Sequence, residues 1–204
     1  MQSVNHFPVC YWLTGLPGAG KTTLATYFAQ SLKERGYRPH ILDGDVLRHG
    51  LNKDIGFSRE DRAEKVRRIS EVARILVDAG LVVIVSAISP FRQDRELTRF
   101  SFSPGTYFEV FVDTPLPVCI ERDPKGLYRK AQEGRLSGLT GWDAPYERPV
   151  ASEIAIFTPD EPPVHAASKL TNHFLAVQNA CLDASSSAFP SGPKLNALAH
   201  RNHV

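Results

Sequence analysis

The sequence predicts an α/β fold: a parallel five-stranded sheet with helices on both faces, a phosphate-binding loop and a mobile lid. Three observations predict it. Residues 15–22 read G-L-P-G-A-G-K-T, a complete G-x-x-x-x-G-K-[ST] loop between the apolar run 9–13 and the helix-forming stretch T-L-A-T-Y-F-A. Such a loop works only when a strand delivers it and a helix leaves it. Apolar β-type runs recur at about 9–13, 40–42, 81–86, 107–112 and 153–157, with helical patterns between most of them. That alternation builds a parallel sheet covered on both faces. Polar residues gather where the second and third runs end, at the carboxyl edge where open α/β sheets take ligands. The whole describes a sheet of the phosphate-loop NTPase type.

The loop justifies the first strand and helix together. Its glycines let backbone N–H groups point inward at phosphate oxygens, and the helix that follows adds its positive end. Gly15, Leu16, Pro17, Gly18, Ala19 and Gly20 form the cradle and Thr23 follows it. Lys21 is placed to reach the β- and γ-phosphates of ATP, and Thr22 to offer its hydroxyl to Mg2+. The helix 22–35 ends at Gly36, a residue suited to a helix stop.

The second strand ends in Asp43-Gly44-Asp45. A carboxylate at that edge can hold magnesium or accept a proton from an attacking hydroxyl, although Asp-Gly is also a turn dipeptide. Arg48, close behind, suits an anionic substrate. Phe57 suits a base to stack on, or packs under the next helix start. Ser58 can cap a helix over 59–79 that stops at Gly80. Within it Ala63, Val66, Ile69, Ala73, Leu76 and Val77 form one buried stripe, so Arg62, Lys65, Arg67 and Arg68 look outward or into a cleft.

The third strand runs into Ile88-Ser89-Pro90. A serine before proline is held extended, so its hydroxyl could face the cleft, unless the pair simply starts a helix. Residues 123–149 hold many charges, glycines and prolines and read as a mobile lid, with Lys125 among the cations that could close over a phosphoryl group. After a helix over 161–178, the tail 179–204 has no periodicity and reads as disordered. The expected organisation is one domain, 1–178, plus that tail.

Composition narrows the setting. A chain of 204 residues with 42% hydrophobic residues suits one globular domain. A net charge of +2 implies no nucleic-acid surface, and no stretch approaches the roughly 20 apolar residues that span a membrane. Residues 1–8 are short and polar, unlike a secretory signal. The three cysteines, Cys10, Cys119 and Cys181, are scattered without metal-type spacing, which fits a reducing cytoplasm.

Taken in order, these segments resemble the adenylylsulfate kinase family, which uses ATP to phosphorylate the 3′-hydroxyl of adenosine 5′-phosphosulfate. The resemblance covers residues 11 to about 149, with a weaker continuation to about 178. It rests on the loop, Asp43-Gly44-Asp45 with Arg48-His49-Gly50-Leu51-Asn52, Gly56-Phe57-Ser58, Arg67-Arg68-Ile69, Ile88-Ser89-Pro90, Asp123-Pro124-Lys125-Gly126-Leu127-Tyr128 and Pro145-Tyr146-Glu147. It implies that Asp45 assists the substrate hydroxyl and the metal, and that Arg48 and Arg62 hold the phosphosulfate and ribose side. Phe57 would stack on the adenine, Ile88, Ser89 and Pro90 would line the pocket, and Lys125 would belong to the lid. In some members the serine matching Ser89 is a phosphoserine intermediate, although direct in-line transfer needs none. Members commonly dimerise, so a homodimer is expected. The chain departs from the family at Lys65, where Asn is usual, at Val46, at Ala87, and at Leu139-Thr140-Gly141-Trp142. Those changes leave room for a kinase of the same lineage acting on another small anionic acceptor. A non-catalytic nucleotide-binding module is the alternative of another class.

Overall fold

A computed structural model describes residues 6–187. Along the chain run β1 (Cys10–Thr14), α1 (Lys21–Glu34), β2 (Pro39–Asp43), α2 (Gly44–Leu47), α3 (Arg59–Asp78), β3 (Val82–Ser86), α4 (Arg92–Phe100), β4 (Tyr107–Asp113), α5 (Leu116–Arg122), α6 (Leu127–Gln132), β5 (Ile154–Phe157) and α7 (Pro163–Ser187). The strands form one sheet in the order β2-β3-β1-β4-β5, every neighbouring pair parallel. The expected strands all appear, displaced by a residue or so at their ends.

Alternation within each strand divides the core into two layers. Tyr11 and Leu13 of β1, with Ile84 of β3, join Leu24, Phe28 and Leu32 of α1 and Leu170 and Phe174 of α7. Cys10 and Trp12 of the same strand, with Val83 and Val85, join Val66, Ile69, Ala73 and Val77 of α3 on the opposite face. Near-continuous apolar strands are what a sheet covered on both sides requires. The buried Cys10 and Cys119 fall into different layers, so the sheet separates them.

Ser58 caps α3 as the sequence predicts. Its side chain accepts from the Asp61 N–H at 3.0 Å while Asp61 accepts from the Ser58 N–H at 3.1 Å, a complete capping box.

Three expectations change. Residues 179–187 belong to α7 rather than to a disordered tail; 188–204, and residues 1–5 of the polar N-terminus, lie outside the described residues. The segment 123–149 is not merely charged loop, because it contains α6, and Tyr128, Ala131 and Leu139 are buried in the α1/α7 layer. The tyrosine hydroxyl also donates to Pro17 O at 3.0 Å. Ser89 is not extended: its φ is 46°, a left-handed conformation that tertiary contacts must hold against the preference imposed by the following proline. It does not cap α4 either, whose N-cap is Phe91.

Candidate active site

The phosphate loop leaves β1 and enters α1 through Gly20, whose φ of 99° turns the chain into the helix without a side-chain cap. Two glycines there are required by space. A Cβ on Gly15 would lie 2.6 Å from Val112 O, and one on Gly18, at φ +75°, would lie 2.9 Å from Cys119 O. The loop is therefore pressed against β4 and α5.

Lys21 folds back over the loop, donating to Gly15 O at 2.9 Å and Leu16 O at 2.8 Å. The ammonium is closed in although the side chain as a whole is only partly buried. Burial pushes it down to about 8, opposed by the charge of Asp45. Thr22 Oγ1 donates to Asp43 Oδ2 at 2.7 Å and sits 3.3 Å from Ser86 Oγ. The same Asp43 caps α2 through its other oxygen, accepting from the Asp45 N–H at 2.8 Å. Of the two carboxylates after β2, Asp43 is thus the one in contact with Thr22.

Asp45 is more exposed and pairs with Lys125. Burial works against its charge, but the Lys125 hydrogen bond and the charges of Lys125, Lys21 and Arg48 outweigh it and hold the carboxyl below its usual range. Three further cations, Arg48, Arg62 and Lys65, come next. Arg48 lies over the exposed Phe57 ring, 4.5 Å from its centroid, so Phe57 is not packed into the core. Arg62 donates to Phe57 O at 2.9 Å, Thr140 Oγ1 at 2.6 Å and Gly138 O at 2.5 Å. Lys65, one turn on, is half-buried; burial and the charges of Arg48 and Arg62 push it down to about 8, against the pull of Asp45.

One cleft of about 920 Å³ is lined by Pro17 to Thr23, Asp45, Arg48, Phe57, Arg62, Lys65, Ile88, Ser89, Pro90 and Lys125. Gly15 and Leu16, also expected in the site, sit behind it and supply the carbonyls that hold Lys21. Ser89 lines the cleft but is 2% exposed, and its hydroxyl accepts from Trp12 Nε1 at 3.0 Å.

The expected residues thus meet, with additions. Arg122, Thr158 and Glu161, and Ser137 to Thr140, also line the cleft. Thr140 belongs to a turn closed by Asp143, which accepts from the Gly138 and Leu139 N–H groups; an Asp placed to tie such a turn was the available signal. Nothing in the sequence pattern marked Asp43 over Asp45, since either could point at Thr22.

Residues 7–157 match the Adenylylsulphate kinase family profile. The chain belongs to the adenylylsulfate kinase family. The adenylyl-sulfate kinase of Geotalea daltonii is 52% identical over 76% of both chains. Among solved structures, the Mycobacterium tuberculosis APS kinase CysC in complex with AMPPNP and APS superimposes with a TM-score of 0.79 at 44% identity, over 82% of this chain and 97% of that one. A hexameric APS kinase from Thiobacillus denitrificans gives a TM-score of 0.61 at 28% identity, over 82% of this chain and 28% of that one. Membership in this kinase family makes ATP the phosphoryl donor. No helix among the described residues is long and apolar enough to cross a membrane.

Proposed function

We propose that this adenylylsulfate kinase transfers the γ-phosphoryl of ATP to the 3′-hydroxyl of adenosine 5′-phosphosulfate, yielding 3′-phosphoadenylyl sulfate, and that its two substrates face each other across the cleft. The observation that carries the reading is the cleft itself. It is lined both by phosphate-loop residues with Lys21 and by Asp45, Arg48, Phe57, Arg62 and Lys65.

In this reading the loop amides and Lys21 hold the β- and γ-phosphates, and the lysine neutralises charge as the phosphoryl moves. Asp45, kept ionised by Lys125, accepts a hydrogen bond from the 3′-hydroxyl and takes its proton as the oxygen attacks in line. Arg48, Arg62 and Lys65 hold the phosphosulfate, Phe57 offers its exposed face to the adenine, and Ile88 to Pro90 close the pocket. Ser89 acts as wall rather than phosphate carrier, because its hydroxyl is buried and engaged by Trp12. Positioning supplies most of the rate.

Thr22, Asp43 and Asp45 are hard oxygen donors of the kind Mg2+ takes alongside substrate phosphates, and no group of three or more His, Cys, Asp or Glu among the described residues could hold a metal alone. Magnesium held there would neutralise charge on the phosphates. The enzyme is expected in the cytoplasm as a homodimer, acting on a small molecule with no nucleic acid or membrane involved; light scattering tests the dimer.

Incubation with ATP, Mg2+ and adenylylsulfate should yield the 3′-phosphorylated product. ATP consumption that adenylylsulfate does not stimulate would instead favour a different anionic acceptor, a reading for which the extra cation Lys65 is the specific observation.

A further inference from the structure

The left-handed Ser89 is held by a side chain that never reaches the cleft surface. Arg95 of α4 is 2% exposed, yet its guanidinium serves three elements at once. Nη1 donates to Ser89 O at 2.7 Å, Nη2 to Glu147 O at 2.8 Å, and Nε lies 2.7 Å from Glu109 Oε1 of β4, in ion contact without the angle of a directed hydrogen bond. The two carbonyls it joins are neighbours by other routes too. The Glu147 N–H donates to Pro90 O at 2.8 Å, and Glu147 Oε2 accepts from the Arg92 N–H at 2.7 Å. Next to Glu147, the Tyr146 hydroxyl sits 3.0 Å from Thr14 Oγ1, whose own hydroxyl donates to Ile88 O at 2.6 Å.

Removing a charge from water and pairing it is costly, and a buried ion pair is weak evidence of a stabilising role. Two directed donors spent on two carbonyls, with an ion contact to one carboxylate, are better suited to fixing geometry, because the planar fork admits one arrangement.

We propose that Arg95 is the positioning residue of the acceptor side: from Glu109 it clamps the Ser89–Pro90 turn to residues 146–147 and so fixes the part of the cleft lined by Ile88, Ser89 and Pro90. This rests on the proposed reaction for its kinetic consequence but not for its structural one. On the ATP side Lys21 and Thr22 bond instead to Gly15, Leu16, Asp43 and Ser86.

Arg95→Lys keeps a charge for Glu109 but cannot reach both carbonyls. It should raise KM for adenylylsulfate about tenfold or more while KM for ATP stays within about twofold. In native-state hydrogen exchange, the Arg92 and Glu147 amides should lose protection together while residues 10–14 and 24–32 keep theirs. Should Arg95→Lys not fold, the double change Arg95→Met with Glu109→Gln removes the pair without leaving a buried charge, and the same two readouts apply. Parallel rises in both KM values, or loss of protection spread over the whole sheet, would overturn the proposal and leave Arg95 as ordinary core. Exchange at residues 92 and 147 decides the point even if wild-type protein does not turn over adenylylsulfate, an outcome that would sink the proposed reaction alone.

Discussion

Two cleft lysines, Lys21 and Lys65, carry ammonium groups that burial pushes down to about 8. Saturating ATP should keep Lys21 protonated, since phosphate oxygens favour its charged form. At saturating ATP, the remaining alkaline loss then belongs to Lys65, which faces Arg48, Arg62 and Asp45. We expect kcat/KM for adenylylsulfate to fall above about pH 8 in wild-type enzyme, and the falling limb to move upward in Lys65→Arg, whose guanidinium does not titrate in that range. A pH profile unchanged by Lys65→Arg would show that the ammonium does not meet the acceptor. Stability moves the other way. Lys65 binds its proton less tightly folded than unfolded, where 10.5 applies, so unfolding takes up protons between about pH 8 and 10.5 and this residue's destabilisation fades as pH rises through that window. Lys65→Asn, which introduces the residue usual in the family and removes that ammonium, should abolish the falling limb; kcat/KM for adenylylsulfate at neutral pH equal to or above wild type would show that the ammonium is not needed to hold the acceptor. A third residue decides the metal side. Asp43→Asn keeps one acceptor oxygen for capping α2 but removes the charge beside Thr22. It should lower kcat about a hundredfold with little change in melting temperature, and near-wild-type kcat would reduce Asp43 to a cap.

At the scale of elements, α3 is the piece whose construction is most readable. A capping box starts it, a stripe of Val66, Ile69, Ala73 and Val77 packs it on the sheet, and Arg62 and Lys65 fall on the side left for the cleft. Ser58→Ala should destabilise the protein by about 1 kcal/mol, seen as a melting temperature lower by about 2–4 °C. Because the same cap anchors the start of the helix bearing Arg62, KM for adenylylsulfate should rise more than KM for ATP. Equal changes would mean that the helix start is rigid without its cap. The elements around 123–149 were less readable: charges, glycines and prolines there look like solvent-facing loop, yet Tyr128 and Leu139 are core residues. Few apolar residues are enough when each lands in a prepared gap, and composition cannot tell where a side chain lands.

For the whole molecule, the cleft joins parts that are distant along the chain. Lys125 and Asp45, 80 positions apart, pair across its mouth with both side chains more than half exposed. An exposed pair contributes little to stability, typically below about 1 kcal/mol, so Lys125→Ala should leave the melting temperature nearly unchanged. If the segment closes over the transferring phosphoryl, as the lid reading requires, kcat should nevertheless fall by about tenfold or more. An unchanged kcat would make the pair a surface contact only.

The sequence by itself determined the sheet and the donor side. The loop 15–22 is a local device, its spacing complete within eight residues, and strand and helix periodicities are local too, so both could be read without knowing any neighbour. An ordered set of short segments also pointed to Asp45, Arg48, Phe57, Arg62, Lys65 and Ser89, which line one cleft with the loop. Tertiary structure alone decided what those residues touch. Asp43 rather than Asp45 meets Thr22 because the turn into α2 points one carboxylate back at the loop. Ser89 takes a left-handed conformation that its proline disfavours because Arg95, Trp12 and the strand ends hold it there. Such outcomes depend on contacts between segments tens of residues apart, and local preference, worth a kcal/mol or so per residue, yields to them.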